Sequence, residues 1–156
     1  MDQEGFSALC RATSLALQVE DTDKLFSTGA IDIDDVAFGI FFEPDLAPDR
    51  ILCYIDLGAI PSEGREDIFS RLLSLNVISG TKTSGVYGID KDAENALFVQ
   101  HFMYPELLSG EQFALILKSY AFHAKTLQMT VLNPSYMDST EEALRHSLMS
   151  NNLLSV

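Results

Sequence analysis

The sequence predicts an α+β fold, a five-stranded, mainly antiparallel, twisted sheet with three helices in the order α-β-β-β-α-β-β-α. Three observations carry this. Apolar residues alternate with a period of two in VAFGIFF (36–42), ILCYIDLG (51–58) and the stretch TSGVYGIDKDAENALFVQHF (83–102). They recur at helical spacing near the start, in the middle and after residue 110. The connection over 43–49 is too short for a crossover and joins antiparallel neighbours, whereas 58–82 is long enough to carry the chain across.

In chain order, Phe6, Leu9, Cys10, Thr13 and Leu17 mark a first helix over 4–18, with Asp2 and Glu4 at the end where the helix dipole favours anions. Residues 24–31 are expected as a weak first strand, turning at 32–35. Two alternating strands follow, separated by EPDLAPD, whose prolines stop a ladder. Ser62 is the expected N-cap of a second helix built on Ile68, Phe69, Leu72, Leu73 and Leu75. SGTKTSG (79–85) is a glycine-rich connection into a hairpin with strands at 86–89 and 97–102. Ser109 and Gln112 have capping-box spacing ahead of a long third helix whose apolar stripe runs from Phe113 to Val131, and Asn133-Pro134 stops it. Residues 1–134 are expected as one domain. The tail, 135–156, either forms a further amphipathic turn after Ser139, which repeats the capping spacing with Glu142, or is mobile.

The length of 156 residues suits one hydrophobic core, and 47% hydrophobic against 21% charged residues excludes a disordered chain. The longest apolar run is far short of a membrane span, and MDQEGFSALCR lacks the basic start of a secretion signal, so a cytoplasmic protein without membrane insertion is expected. Two cysteines, Cys10 and Cys53, make neither a disulfide framework nor a metal knuckle and suit buried positions. The net charge of −13 repels phosphate backbones, which argues against nucleic acid. Nine acids against one base, Lys24, fall between Glu20 and Asp49; they make either a solvated face or a field for a basic partner.

Catalytic and metal signatures are missing. Asp90, Asp92, Glu94 and Asn95 occupy the first places of a calcium loop, but His101 stands where the bidentate Glu belongs and no helix flanks them. SGTKTSG lacks the order of a phosphate-binding loop. The histidines at 101, 123 and 146 have no metal spacing, and His123 suits a hydrogen-bonded position at the edge of a core. There is no serine elbow and no cysteine signature. No catalytic residue, metal or cofactor is therefore expected.

The apolar surface is in surplus. Phe41, Leu52 and Tyr54 lie opposite the face that Phe38, Ile40, Cys53 and Ile55 turn to the core, and three helices cannot easily cover both faces of the sheet. In the second helix Ile68 and Leu72 share one face and Phe69 and Leu73 another, an arc wide enough for burial on two sides and a subunit contact.

These patterns together resemble the CesT-like (Tir chaperone) family of type III secretion chaperones. The resemblance covers residues 6–132 and rests on FSALCRATSLAL, the pair VAFGIFF and ILCYIDLG with GAIP, the helix and exit IFSRLLSLNVISG, the hairpin SGVYGIDKDAENALFVQHF, and GEQFALILKSYAFHAKTL, in that order. It implies a homodimeric, non-enzymatic bacterial protein of the cytoplasm. Such a protein holds the N-terminal region of one or more effectors extended until the export apparatus and its ATPase take over. The resemblance places effector binding on Phe6, Leu9, Phe41, Leu52, Tyr54, Phe98 and Phe102, with an open sheet edge for strand addition. It places the dimer interface on Ile68, Leu72, Leu75, Val77 and Ile78. The segment KLFSTGAI departs from the family in being less apolar than its usual first strand. Two other readings remain: a regulatory adaptor that binds a transcription factor or export component, and a small enzyme or ligand carrier with His123 or Asp56 in a pocket.

Overall fold

The computed structural model describes residues 1–79 and 85–136, with the main chain only at 78, 79 and 136. Helix α1 (Gln3–Ala16) opens on Asp2, whose carboxylate accepts the Gly5 N–H at 2.8 Å, and it buries Phe6, Leu9, Cys10 and Thr13. Residues 24–28 form a short helix, α2 (Lys24–Thr28), and not the start of a strand. Burial of Leu25 and the packing of Phe26 on Phe6 hold it in place, and Gly29, at φ 67°, ends it in the left-handed conformation. Propensity gives way here to tertiary contact.

Strand β1 is consequently shorter than expected, Ala30–Ile33, and pairs with β2 (Val36–Phe41) through a turn of only Asp34 and Asp35. Both have positive φ, as a two-residue hairpin that follows strand twist requires. Strand β3 (Arg50–Ala59) bulges between Asp56 and Gly58, where the Asp56 carboxylate accepts from Gly58 N at 2.7 Å and from Asn95 Nδ2 at 2.8 Å. Helix α3 (Arg65–Ser79) starts after Gly64, so Ser62 falls short of its first turn. Strands β4 (Val86–Ile89) and β5 (Asn95–Met103) form the expected hairpin, with the Asp90 carboxylate accepting from the N–H groups of Asp92 and Ala93 in the turn. Helix α4 (Gly110–Met129) has the full capping box: Ser109 Oγ accepts from Gln112 N, and Gln112 Oε1 accepts from Ser109 N. The second capping spacing, at Ser139 and Glu142, and the connection at 80–84 lie outside the described residues.

The strand order is β1-β2-β3-β5-β4, antiparallel throughout. Its inner face carries Phe38, Ile40, Ile51, Cys53, Ile55, Ala96 and Phe98, all buried. Helix α4 lies across it, with Phe113 edge-on to Phe102 at 5.1 Å and Tyr120 at 5.7 Å from Phe98. Helix α1 crosses the start of α4 so closely that a Cβ on Gly110 would sit 2.4 Å from the Ala12 Cβ. Only glycine fits that crossing. Helix α3 runs beside β4 and buries Ile68 and Leu72 in the same core.

Candidate protein-binding surfaces

The outer face of the sheet is apolar. Phe41, Leu52, Tyr54, Leu97, Val99 and Val86 share it through the registers Phe41↔Leu52, Tyr54↔Val99, Val86↔Val99 and Gly88↔Leu97. Phe41, Tyr54 and Val86 are exposed, and Leu52, Leu97 and Val99 are half-buried. Phe41 meets Tyr54 edge-on at 5.9 Å, and its ring lies over Gly29 and Gly39, where an added Cβ would come within 2.9 Å. Those two glycines make the bed that holds an exposed aromatic ring flat on the strands. Beside it, Phe41, Leu46, Ala47 and Leu52 with Glu43, Arg50 and His101 line a recess of about 230 Å³. A contiguous apolar patch of this kind is the usual mark of a partner site.

A second apolar surface lies on α3. Ile68 is 0% exposed and Leu72 3%, so both belong to the subunit's own core and have no surface to give a partner. Of the residues expected at a dimer interface these two face inward in the subunit, and the helix turns the other arc outward, with Leu73 at 67% and Val77 at 79%, and half-buried Phe69 one turn before. The Arg65 guanidinium sits 5.4 Å above the Phe69 ring. Leu75 is half-buried against the core, and the Ile78 side chain lies outside the described residues. Both arcs are legible in the sequence, but their apolar content does not say which one faces in.

The expected effector-binding set divides in the same way. Phe41, Leu52 and Tyr54 come together on the outer face. Phe6 and Leu9 are buried, Phe6 with its ring tilted against Phe26 of α2 at 6.0 Å and against Phe42 at 5.3 Å, and Phe98 is enclosed by Tyr87 and Tyr120. Phe102 is half-buried against Phe113 and Tyr120. These four side chains point into the core, so α1 and the large aromatics of β5 do not build the outer surface. Val86, Leu97 and Val99 take that place. Pairing of Tyr54 with Val99 supplies the signal, since it puts the odd positions of β5 outside; the aromatic parity is the core parity.

The two sheet edges differ. At β4, Asn76 Oδ1 accepts the Tyr87 N–H at 2.6 Å and Asn76 Nδ2 donates to the Tyr87 carbonyl at 3.0 Å, so α3 plugs that edge at its middle. At β1, Thr28 Oγ1 engages the N–H and C=O of Ala30, and no helix residue bonds the main chain of Asp32 in a comparable way among the described hydrogen bonds. Strand addition is thus open at β1 and closed at the centre of β4.

The chemical candidates are engaged elsewhere. His123 Nε2 is 2.9 Å from the Tyr87 hydroxyl, and burial lowers the imidazole pKa below its ordinary range. Burial raises the Tyr120 pKa, and it pushes both thiols, Cys10 and Cys53, up to about 12. Asp56 borders an open recess with Asp32, Asp35 and Gln128 but spends its two oxygens on the bulge, and His123 is not among the residues of that recess. Among the described residues, no group of three or more His, Cys, Asp or Glu side chains is placed to hold a metal ion. Nor is any described helix long and apolar enough to cross a membrane.

A family model described as the Tir chaperone protein (CesT) family matches residues 27–128. No curated protein matches the chain in sequence. Among solved structures, the chain is similar to one in the crystal structure of the ExsC-ExsE complex, with a TM-score of 0.65 at 17% identity over 85% of this chain and 98% of that one. It is also similar to a chain of the HopA1-SchA chaperone-effector complex, with a TM-score of 0.56 at 15% identity over 83% of this chain and 99% of that one. At these identities the structural likeness establishes the fold.

Proposed function

The chain belongs to the Tir chaperone protein (CesT) family, and on that premise we propose that it is a type III secretion chaperone which holds the N-terminal region of an effector extended on the outer face of its sheet. The observation that carries this reading is the uncovered run Phe41, Leu52, Tyr54, Val99 and Val86, an apolar surface that the subunit's own helices leave to solvent. An extended guest places alternate side chains on such a face, and each apolar one buried there contributes about 1.5–3 kcal/mol before ordering costs. The main chain of the guest can continue the sheet beyond β1, the edge left open. The unit that does this is residues 1–134.

Two copies associate through the outward arc of α3, Phe69, Leu73 and Val77, to form a cytoplasmic homodimer that hands the effector to the export apparatus and its ATPase. The similar solved chains come from a chaperone-effector complex and from the ExsC-ExsE complex, which supports a protein partner over a small-molecule one. The test is affinity capture from the parent bacterium, read by mass spectrometry, with Tyr54→Glu as the control. The wild type should retain a secreted protein through its first hundred or so residues, burying on the order of 1,000–3,000 Å². The variant should lose it while unfolding at an unchanged urea midpoint. Retention of the same partner by Tyr54→Glu refutes the outer face as the site.

A further inference from the structure

The edge at β1 offers one place for a guest main chain. A two-residue turn closes the hairpin on Ile33 and Val36, and Ile40 N donates to Gly29 O at 2.7 Å in the same phase, so Ile31 and Ile33 turn their main-chain groups toward β2 while Ala30 and Asp32 turn theirs away. Thr28 Oγ1 already engages those of Ala30. An added strand therefore has one full exchange of hydrogen bonds to make, with Asp32, and that exchange fixes its register. The Asp32 side chain is exposed on the outer face, one row from Ala30, Gly39 and Tyr54, and it borders an open recess of about 480 Å³ with Asp35, Ala37 and Asp56. Among the described ion pairs only that of Lys125 with Asp35, at 3.8 Å, reaches a residue of this recess.

We propose that the guest strand added at β1 carries a lysine or arginine at the residue bonded to Asp32, with its cation at the mouth of the recess, and an apolar residue two positions away, opposite Ala30. The inference rests on the reading of this chain as the holder of an extended guest, and adds the sequence that the edge selects. Two residues that exchange both bonds lie about 5.5 Å apart at Cα with their side chains on the same face, so the guest side chain stands directly across from the Asp32 carboxylate. Opposite charges in that position stabilise the pair and like charges oppose it, so a guest acid there meets Asp32 with Asp35 and Asp56 behind it. Ala37, exposed and small, leaves room beside Asp32 for a long basic side chain. At the next guest position on the same face the surroundings are apolar: Ala30 is short, and Gly39 beside it lies under the Phe41 ring. Two main-chain bonds alone read no sequence, and the side chain facing Asp32 supplies the selection.

The experiment starts from the secreted protein captured by the wild-type chain. Hydrogen exchange on that complex maps the guest segment protected together with the β1 amides, and a fluorescent peptide of the segment is titrated onto the full chain by anisotropy. Asp32→Lys should bind the peptide about threefold to tenfold more weakly than the wild type, a peptide with its basic residue changed to Glu should lose as much, and the two changes together should recover most of the loss. Asp92→Lys makes the same change of charge in the β4–β5 turn, at the other edge of the sheet, and should bind like the wild type. Asp32 makes no described ion pair or side-chain hydrogen bond, so the urea midpoint of Asp32→Lys should not move. Undiminished binding by Asp32→Lys overturns this inference alone, as does an equal loss in Asp92→Lys or a protected segment without lysine or arginine. Partner loss in Tyr54→Glu beside undiminished binding by Asp32→Lys keeps the outer face and removes the cation from the edge. Capture of no secreted protein by the wild type overturns the functional reading and this inference together.

Discussion

Asn76 satisfies both outward main-chain groups of Tyr87, accepting its N–H at 2.6 Å and donating to its carbonyl at 3.0 Å. The amide does what a neighbouring strand would do, from a helix, and so removes the centre of β4 as a template for pairing. Asn76→Ala leaves a half-buried donor and acceptor without those bonds. It should cost about 1–3 kcal/mol in urea unfolding and raise self-association in light scattering. An unchanged midpoint with no added association would show that the contact neither stabilises nor shields.

The two arcs of α3 should respond differently to charge. Leu72→Asp puts a carboxylate into the core and should destabilise the subunit by more than about 4 kcal/mol, enough to unfold a marginal domain. Leu73→Asp changes an exposed side chain, so circular dichroism should be unaltered while the mass in light scattering falls from two chains to one. A folded, dimeric Leu73→Asp protein would move the interface off α3.

His123 predicts a slope of stability with pH. Its folded pKa lies below the unfolded one because burial disfavours the imidazolium, so the unfolded chain binds the proton first as pH drops. The contribution is fully present above the ordinary value of about 6.5 and is lost as pH falls from there through the folded pKa. Between about pH 7.5 and about 5.5 the urea midpoint should fall in the wild type more than in His123→Gln, which keeps a partner for the Tyr87 hydroxyl but does not titrate. Parallel slopes would remove His123 as the source.

Cys10 and Cys53 should be silent toward thiol reagents. Both are buried, and with pKa values pushed up to about 12 the thiolate is scarce at neutral pH. Ellman's reagent should find no free thiol in the native protein and both after denaturation. Rapid labelling of the native protein would mean that the α1 or β3 region opens easily.

The order of strands and long helices was legible because period and punctuation agree: Asn and Pro after α4, the capping box before it, and alternation in β2, β3 and the hairpin. What failed was parity and facing. Residues 24–28 became helical because Leu25 is enclosed, a contact that no local pattern encodes. Phe98 and Val99 are neighbours of equal promise in the sequence, and only the pairing of Tyr54 with Val99 decides which one meets solvent. Ile68 and Leu73 pose the same choice on α3, and there the decision belongs to the side on which Asn76 reaches β4. That Phe41, Leu52 and Tyr54 share the outer face was readable from their alternation, and the positions of β4 and β5 beside them required the register.

A sheet stoppered at one end has a limited appetite. With the centre of β4 plugged by Asn76, a lengthening of the ladder has its room past β1, which leaves one place per subunit for an added strand. The stoichiometry of any complex formed this way is bounded by that count, one strand for each subunit.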